Sequence, residues 1–395
     1  MAAPKILQIF SRYEHYGGEE SSVYRIGDAL QEACDVEYFL TSTSEFLNTS
    51  LAKKAALPIR IFHNREVLHR LRRFQGIGKF DLWQIHNVFP AMSPAVYVEA
   101  FNLGMPIVHY LHNYRLGCTN GFLLNHGQPC QKCLHGNFVP AFFNKSWHES
   151  RIASGAMGSV LYYVRQIGLF EKVNRWIAIS NVQKALHVEM GIPEDKITVI
   201  SHFYERKGMP PKPRPNGDAL FIGRLSPEKG VSQLLEAWKL LGRKDKKLYI
   251  VGEGPELPKL RAYASRNRLE NVIFTGFLSA NEQAEIWEKS AFSVVPSIWE
   301  EPFGMVVLES WGNARPVIGH QIGALPELIS HEDTGLLTPA FNPQLLAASL
   351  DRAFSNPKEC LDMGIKGRMI LRVKFTRAQW LERMKALYGT LGFNC

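Results

Sequence analysis

Residues 219–242, ALFIGRLSPEKGVSQLLEAWKLLG, place a short apolar run, a glycine-rich turn and a helical pattern in direct succession. A continuous apolar run of this length, closed by glycine, is typical of a strand buried on both faces. The helical pattern that follows, residues 231–242, is long enough to cover such a strand. Repeated strand–turn–helix units of this kind build parallel sheets.

The same alternation continues through the chain on both sides of one proline-rich segment. Residues 207–217, KGMPPKPRPNG, contain four prolines and therefore exclude a helix or a central strand. The other apolar runs are KILQIF, DVEYFL, DLWQIH, PIVHYLH, RWIAIS and KITVIS before this segment, and KLYIVGEG, NVIFTGF, FSVVPS and PVIGHQIG after it. They predict two Rossmann-like, doubly wound α/β domains that face a central cleft, with ligands at the carboxyl ends of the strands.

The domain boundaries follow from the proline segment. We expect an N-terminal Rossmann-like domain at 1–206, a linker at 207–217 and a C-terminal Rossmann-like domain at 218–375. A last helix at 376–395 could cross back to the N-terminal domain. A chain of 395 residues is long enough for two cores of roughly 200 residues each.

Composition limits the class of protein. The 46% hydrophobic and 21% charged residues are ordinary for a globular enzyme. The net charge of +9 fits an anionic small ligand or an anionic membrane surface at least as well as nucleic acid, and we expect no nucleic-acid partner. MAAPKILQIF has the pattern of a buried first strand and not of a signal peptide, which predicts a cytoplasmic protein, possibly peripheral at a membrane.

Two strand ends carry residues suited to binding a phosphate. GRLSPEKG, residues 223–230, places Arg224 and Lys229 at the start of the following helix, and fixed cations at a helix N-terminus form an anion site. GEGP, residues 252–255, is a second glycine-rich strand end, but this pattern is also an ordinary turn.

A third strand end reads EEPFGMVVLES, residues 300–310. Glu301 lies in the loop after a predicted strand, and Gly304 opens the next helix. Carboxylates accept two hydroxyls at once, so Glu301 and Glu309 could bind sugar hydroxyls on either side of a diphosphate. The unsatisfied N–H groups at the helix start would point toward that diphosphate, and they belong to Gly304, Met305 and Val306.

Together these motifs resemble the retaining glycosyltransferases of family 4, which have the GT-B fold. The resemblance covers nearly the whole chain, and its motifs are specific only jointly. They are YGGEE (16–20), GRLSPEKG (223–230), GEGP (252–255), the E-x7-E pair Glu301 and Glu309, GALPELI (323–329) and TGLL (334–337). One departure is SHFYE, residues 201–205, where relatives usually carry Asn-Gly, and this leaves the role of that turn open.

The resemblance implies that the domain at 1–206 binds the acceptor and that the domain at 218–375 binds the nucleotide sugar. It also implies a role for each matching residue. Arg224 and Lys229 would bind the donor diphosphate and Glu309 the ribose, while Glu301 would contact the transferred sugar. His112, at the end of its strand, would face the donor sugar near the reacting carbon. We expect His109, inside the strand, to be a hydrogen-bonded core residue. The remaining donor contacts would come from Gly17, Gly18, Gly252, Phe277, Leu278, Phe303, Gly304, Met305 and Val306.

The implied reaction is transfer of a hexosyl unit, with retention, from a nucleoside diphosphate sugar to an acceptor hydroxyl. UDP is the first expectation for the donor, and the acceptor is a glycan, a lipid-linked glycan or a small molecule. No metal or cofactor is expected to take part in catalysis. Two alternatives stay open, a sugar-nucleotide epimerase and a catalytically silent sugar-nucleotide-binding subunit. A nicotinamide dehydrogenase is disfavoured because neither domain opens with G-x-G-x-x-G.

Two further features lie in the N-terminal half. Cys118, Cys130 and Cys133, with His126 or His135, have the residue types of a structural zinc site, although free cysteines also serve as small core residues. The basic amphipathic segment 65–79 suits an acceptor at a membrane surface. For the apolar segment 153–170 a packed helix is the favoured interpretation.

Overall fold

The computed structural model describes residues 3–13, 17–47, 50, 56–206, 208–212 and 214–394. Tyr16 of the first glycine turn, Lys207 and Pro213 of the linker, and Cys395 lie outside these residues. The chain divides into two compact units. Unit 1 comprises Met1–Asn125, Cys130–Ile200 and Trp380–Cys395, and unit 2 comprises His126–Pro129 and Ser201–Gln379.

Unit 1 is built on a sheet of six parallel strands in the order β2-β1-β3-β4-β7-β8. The strands of this half are β1 (Lys5–Arg12), β2 (Asp35–Ser42), β3 (Leu82–Asn87), β4 (Ile107–Tyr110), the short β5 (Leu124–Asn125) and β6 (Gln128–Pro129), β7 (Arg175–Ala178) and β8 (Ile197–Val199). The helices are α1 (Gly18–Leu30), α2 (Thr43–Leu47), α3 (Leu57–Arg60), α4 (Arg65–Gly78), α5 (Ala95–Leu103), α6 (Val139–Phe143), α7 (Arg151–Gln166), α8 (Leu169–Lys172) and α9 (Asn181–Glu189).

Unit 2 has a second six-stranded parallel sheet, in the order β11-β10-β9-β12-β13-β14. Its strands are β9 (Asp218–Ile222), β10 (Leu248–Val251), β11 (Val272–Gly276), β12 (Ser290–Val295), β13 (Val317–His320) and β14 (Gly335–Thr338). Its helices are α10 (Val231–Leu241), α11 (Leu257–Arg266), α12 (Ala280–Lys289), α13 (Met305–Gly312), α14 (Leu325–Leu328), α15 (Pro343–Ser355) and α16 (Pro357–Lys374).

Both sheets confirm the predicted doubly wound α/β class. Each strand order reverses once, between β1 and β3 in unit 1 and between β9 and β12 in unit 2. The apolar runs quoted above form strands of the two sheets, and side chains such as Trp83, Trp176 and Trp238 are buried in the two cores. Strand β14 was not predicted, since only the TGLL motif pointed to this segment.

The last helix, α17 (Arg377–Gly389), begins in unit 2, and its residues from Trp380 onward belong to unit 1. It is held there by polar contacts from two of its side chains. Tyr388 donates its hydroxyl to Gln84 Oε1 at 2.5 Å, and Trp380 Nε1 lies 3.5 Å from the hydroxyl of Tyr110. Among the helices of the described residues, none has both the length and the apolar character needed to cross a membrane.

A buried guanidinium holds the start of unit 2 together. Arg315 is 0% exposed and donates to four backbone carbonyls, those of Ser290 (2.6 Å), Asn313 (2.8 Å), Trp287 (2.9 Å) and Lys212 (3.1 Å). Its planar fork can satisfy several acceptors at once, which a lysine ammonium cannot reproduce in the same geometry. Arg315 therefore attaches the proline-rich segment to the end of α12 and the start of β12.

We predict that Arg315→Lys destabilises the protein by about 2–4 kcal/mol, because several buried carbonyls lose their donors. Urea unfolding followed by circular dichroism measures the change. Arg214→Lys, at an exposed position of the same segment, is the matched control and should leave the midpoint unchanged. Equal midpoints for the two variants would contradict this role of Arg315.

Candidate functional site

The site in unit 2 lies where the strand order reverses, between β9 and β12. Because these parallel strands are neighbours, the loops that follow them leave the same edge of the sheet. Gly230 shows how closely they meet, since a Cβ at this position would lie 1.9 Å from the carbonyl oxygen of Pro296. Its φ of 68° also favours glycine. The backbone N–H of Ile298 donates to the carbonyl of Glu228 at 3.0 Å.

Lys229 and Glu301 form an ion pair across these two loops. Lys229 Nζ lies 3.1 and 3.0 Å from the two carboxylate oxygens of Glu301, which is 6% exposed. The same carboxylate accepts from Ser297 Oγ at 2.8 Å and from Trp299 Nε1 at 2.9 Å. Lys229 also lies 5.2 Å from the centre of the Trp299 ring. These contacts hold the ammonium and the carboxylate next to each other on the two loops.

Arg224 is anchored by its own loop. Its guanidinium donates to Glu228 Oε1 at 2.6 Å and to Ser226 Oγ at 3.1 Å, and Ser226 Oγ donates to the same Glu228 oxygen. Burial alone would raise the pKa of Glu228, but Arg224, Ser226 and Lys229 together hold it below its usual value. The carboxylate is therefore ionised at neutral pH, and it orients a guanidinium whose side chain is still 51% exposed.

Helix α13 begins beside the ion pair. Gly304 precedes it with a φ of 100°, and Met305 is its first residue. The N–H groups of a first helical turn have no acceptor within the helix, so this start is suited to an anion. Glu309 lies about one turn further along and is half-buried. Phe303 is buried, and its ring meets His202 edge-to-face at 5.4 Å.

The turn that departs from the family pattern packs within unit 2. The backbone N–H of Tyr204 donates to the carbonyl of Phe375 at 3.1 Å. A Cβ at Gly312 would lie 2.6 Å from the Tyr204 ring, so this ring covers the end of α13. With His202 against Phe303, residues 201–205 have a packing role.

Three other predicted donor residues lie at neighbouring strand ends. Gly252 follows β10, and a Cβ there would lie 2.0 Å from the carbonyl oxygen of Gly223, so close backbone packing already accounts for this glycine. Phe277 follows β11 and is 67% exposed, and the Leu278 carbonyl accepts from Gln283 at 2.9 Å. Their roles in binding stay predictions.

The glycine turn of unit 1 leaves space beside it. No atom of the described residues lies within 4 Å of a Cβ built at Gly17 or Gly18, so packing does not account for either glycine. The helix that starts here carries Glu19, which accepts from Tyr13 and from Asn113, each at 3.0 Å. These bonds connect the loop after β1 to the loop after β4.

His112 follows β4 and is partly exposed. Its Nε2 lies 2.8 Å from Nδ1 of His86, and burial lowers the pKa of His112 to about 3, so the ring is neutral at pH 7. His109 lies inside the sheet, where its Nε2 is 2.8 Å from the hydroxyl of Tyr97 and its ring stacks on Trp176. His109 is therefore a buried, hydrogen-bonded core residue.

The cysteine-rich loop has free thiols at Cys118, Cys130 and Cys133. Cys118 donates to the Asn120 side chain at 3.0 Å, and burial, with the neighbouring cysteines, raises the pKa of Cys133 to about 11. Within the described residues, which include His135, no three His, Cys, Asp or Glu side chains are grouped so as to hold a metal ion. The structural zinc site stays a prediction. Elemental analysis of the purified protein would show whether zinc is bound.

Two doubly wound parallel sheets in one chain, with paired cations at the switch point of the second, define the GT-B class. The family comparisons agree. Residues 16–206 match the model described as Glycosyltransferase Family 4, and residues 206–369 match the model described as Glycosyl transferases group 1. The chain belongs to this family of glycosyltransferases.

Similar proteins span the chain to different extents. The D-inositol 3-phosphate glycosyltransferase of Pseudarthrobacter chlorophenolicus is 24% identical over 379 residues, 88% of this chain and 84% of that protein. The alpha-D-kanosaminyltransferase of Streptomyces kanamyceticus is 28% identical over 191 residues, 48% of each chain. This chain covers only 35% to 48% of the length of three of the most similar curated relatives.

A solved structure of similar fold is that of HepE from Anabaena in complex with UDP-glucose. Its TM-score is 0.72 at 17% identity, over 98% of this chain and all of that one (100%). Sequence identity this low supports the fold and not the ligand.

Sequence reasoning missed four residues that the structure adds to the site. Ser297 and Trp299 orient Glu301, Glu228 orients Arg224, and His86 contacts His112. Ser297, Trp299 and Glu228 lie within five residues of a predicted site residue, so their position was a usable signal. His86 comes from a different strand and had no such signal.

We predict that Lys229→Met destabilises the protein by about 2 kcal/mol, since it leaves the Glu301 carboxylate buried without its cation. The Lys229 side chain is 26% exposed, which keeps the loss below that of a fully buried pair. Lys229→Met/Glu301→Gln should lose less than the sum of the two single variants. Urea unfolding at pH 7 measures all three.

The exposed pair Lys289–Glu285 is the control for this double-mutant cycle. Its atoms are 2.5 Å apart, but the side chains are 39% and 71% exposed, so its coupling energy should be much smaller than that of the buried pair. Strictly additive losses at Lys229 and Glu301 would show that the buried contact contributes no coupling energy.

Proposed function

We propose that the protein is a retaining hexosyltransferase that uses a nucleoside diphosphate sugar. The observation that carries the proposal is the pair of anchored cations, Arg224 and Lys229, at the β9–β12 switch point beside the start of α13. These groups match the charge of a diphosphate, and glycosyltransferase membership supports this choice of anion. Glu309 then meets the ribose and Glu301 the side of the transferred sugar.

In the proposed reaction the bond between the anomeric carbon and the diphosphate oxygen breaks. The acceptor hydroxyl oxygen bonds to that carbon on the same face, and its proton passes to the departing phosphate oxygen. Negative charge grows on the diphosphate during this step, and the fixed cations and N–H groups stabilise it more than they stabilise the bound donor. Such groups need no metal, so initial rates should be unchanged by EDTA.

The Lys229–Glu301 pair suggests how the site accepts a donor. The diphosphate competes with Glu301 for the ammonium of Lys229, whose side chain is 26% exposed and can therefore contact a ligand. When Lys229 turns toward the phosphate, Ser297 and Trp299 still donate to Glu301. The carboxylate then keeps its orientation while one oxygen becomes available to a sugar hydroxyl.

A UDP-sugar is the proposed donor. HepE, which shares the fold, was crystallised with UDP-glucose and with UDP, and this supports UDP as the first nucleotide to test. A thermal-shift screen of UDP-, GDP- and ADP-sugars distinguishes the bases, because a ligand at a hundred times its Kd adds about 2.7 kcal/mol of stability. If none of these nucleotide sugars stabilises the protein, the proposal is wrong.

Two other functions are separable by experiment. An epimerase converts the sugar nucleotide into its epimer and needs no acceptor, whereas a transferase releases free nucleotide in proportion to acceptor. A silent subunit binds the donor and turns nothing over. Incubation with UDP-sugars and a mixture of glycan, lipid-linked and small-molecule acceptors, followed by NMR of the product's anomeric configuration, tests transfer and retention together.

We also propose a peripheral contact between helix α4 and an anionic membrane surface, where a lipid-linked acceptor would be presented. A groove of about 400 Å³ separates α4 from the edge strand β2, and its apolar lining includes Phe39, Phe74 and Ile77. Arg70 and Arg73 line the same groove, and no carboxylate of the described residues forms a salt bridge with either one. Ile77 is 74% exposed. Basic and apolar side chains on one face suit an anionic bilayer.

We predict that Arg70→Ala/Arg73→Ala binds vesicles of phosphatidylcholine and phosphatidylglycerol roughly 30-fold more weakly than wild type, at about 1 kcal/mol per charge. Co-sedimentation measures the bound fraction. Lys244→Ala/Lys247→Ala, exposed positions of unit 2, makes the same charge change and should bind like wild type. Equal weakening by both variants, or no binding of wild type, would refute this contact.

The two glutamates give the sharpest prediction for the donor site. Glu309→Gln should weaken UDP and the intact UDP-sugar by similar factors, since both ligands carry the ribose, whereas Glu301→Gln should leave UDP binding almost unchanged and lower turnover. An amide keeps one acceptor and loses the charge. Calorimetry with both ligands measures this, and equal losses for UDP and UDP-sugar in both variants would mean that the pair does not span the donor.

A further inference from the structure

A second buried ring lies behind His112. His86 Nδ1 is 2.8 Å from His112 Nε2, and the two rings stack with centroids 5.1 Å apart. His86 is only 3% exposed. The orientation of His112 therefore depends on a histidine from a different strand, β3.

The hydrogen bonds continue from His86 through two buried amides. His86 Nε2 bonds to Gln8 Oε1, and Gln84 Nε2 donates to that same oxygen at 3.1 Å. The hydroxyl of Tyr388 donates to Gln84 Oε1 at 2.5 Å. Gln8, Gln84 and Tyr388 are each 0% exposed. One continuous series of hydrogen bonds thus runs from the last helix, α17, to His112.

The direction of donation along this series of hydrogen bonds determines which nitrogen of His112 carries the proton. The oxygen of Gln8 can only accept, so His86 Nε2 must be protonated. A charged ring is costly at this burial, which favours a neutral His86 with its lone pair on Nδ1. That nitrogen accepts from His112, so neutral His112 carries its proton on Nε2 and its lone pair on Nδ1.

A second contact from the same helix supports the same rings. Trp380 Nε1 lies 3.5 Å from the hydroxyl of Tyr110, which is 0% exposed. The Tyr110 ring stacks on His86 at 5.5 Å and on His112 at 5.0 Å. Helix α17 therefore reaches His112 by a hydrogen-bond chain and by a ring stack.

We propose that α17 is a positioning element for transfer, in which Tyr388, Gln84, Gln8 and His86 hold His112 in its Nε2–H form with a fixed ring orientation. The proposal rests on the proposed function only in assuming that His112 faces the donor sugar. A ring whose tautomer is set beforehand needs no reorganisation when charge develops at the sugar, and such preorganised dipoles are the effective ones in catalysis. Tyr388 and the two glutamines touch no reacting atom.

The first experiment reads the tautomer without any ligand. Imidazole ¹⁵N spectra of the protein labelled at histidine, with His112→Gln to assign the signal, should show His112 as the neutral Nε2–H form. Tyr388→Phe removes only the hydroxyl and should shift this signal toward a mixture of tautomers. Tyr162→Phe, at a position that is 56% exposed, is the control and should leave the signal unchanged. If His112 of the wild type were the Nδ1–H form, the direction of donation along the hydrogen bonds would be reversed and the proposal would be wrong.

The second experiment measures release of UDP from UDP-glucose by the same proteins in the presence of the acceptor mixture. Tyr388→Phe should lower kcat about 10-fold with KM changed less than about twofold, whereas a purely structural role would lower the folded fraction and leave kcat per folded molecule unchanged. An unchanged kcat in Tyr388→Phe would remove α17 from the positioning role. If wild type releases no UDP under these conditions, UDP-glucose is not the donor, and the ¹⁵N spectra still decide the tautomer.

Discussion

The parallel ladder between β9 and β12 is the contact on which the candidate donor site depends. It pairs Ala219 with Phe292 and Leu220 with Ser293, although these strands are separated in sequence by two complete strand–helix units. Because the strands run in the same direction, their following loops share one edge. Lys229 and Glu301, which are 72 residues apart in the chain, meet there. A change in the pairing of these two strands would separate the cation from the carboxylate.

Local patterns predicted the fold because a doubly wound sheet repeats one local unit. Continuous apolar runs such as KILQIF and ALFIG became the central strands, and the proline-rich segment interrupts the alternation of strands and helices. Strand β14 was missed, since GLLT is four residues long and carries no alternation that separates a strand from a turn. The loop positions of Arg224, Lys229 and Glu301 followed directly from the strand ends.

The partners of these residues could not be predicted in the same way. Sequence reasoning assigned Glu301 to sugar hydroxyls, and the structure shows its oxygens already bound by Lys229, Ser297 and Trp299. Gln8 and Gln84 appear in the sequence as polar interruptions of apolar strands. Their pairing joins residues 76 positions apart, and a periodicity argument extends over one element only. The cysteine spacing suggested ligands, but spacing alone does not determine how side chains of an irregular loop are grouped.

The discontinuity of unit 1 has a consequence for biosynthesis. Gln84 and Tyr388 are 304 residues apart, so the ribosome, at about 5–20 residues per second, completes the partner of this amide roughly 15–60 seconds after the amide itself. All of β9 to β14 emerges in that interval. The side-chain amide of Gln84 in β3 therefore has to wait for α17 to be synthesised before it can bond to Tyr388. Unit 2 can fold during that time. The histidine site can therefore be completed only after the sheet of unit 2 has been translated.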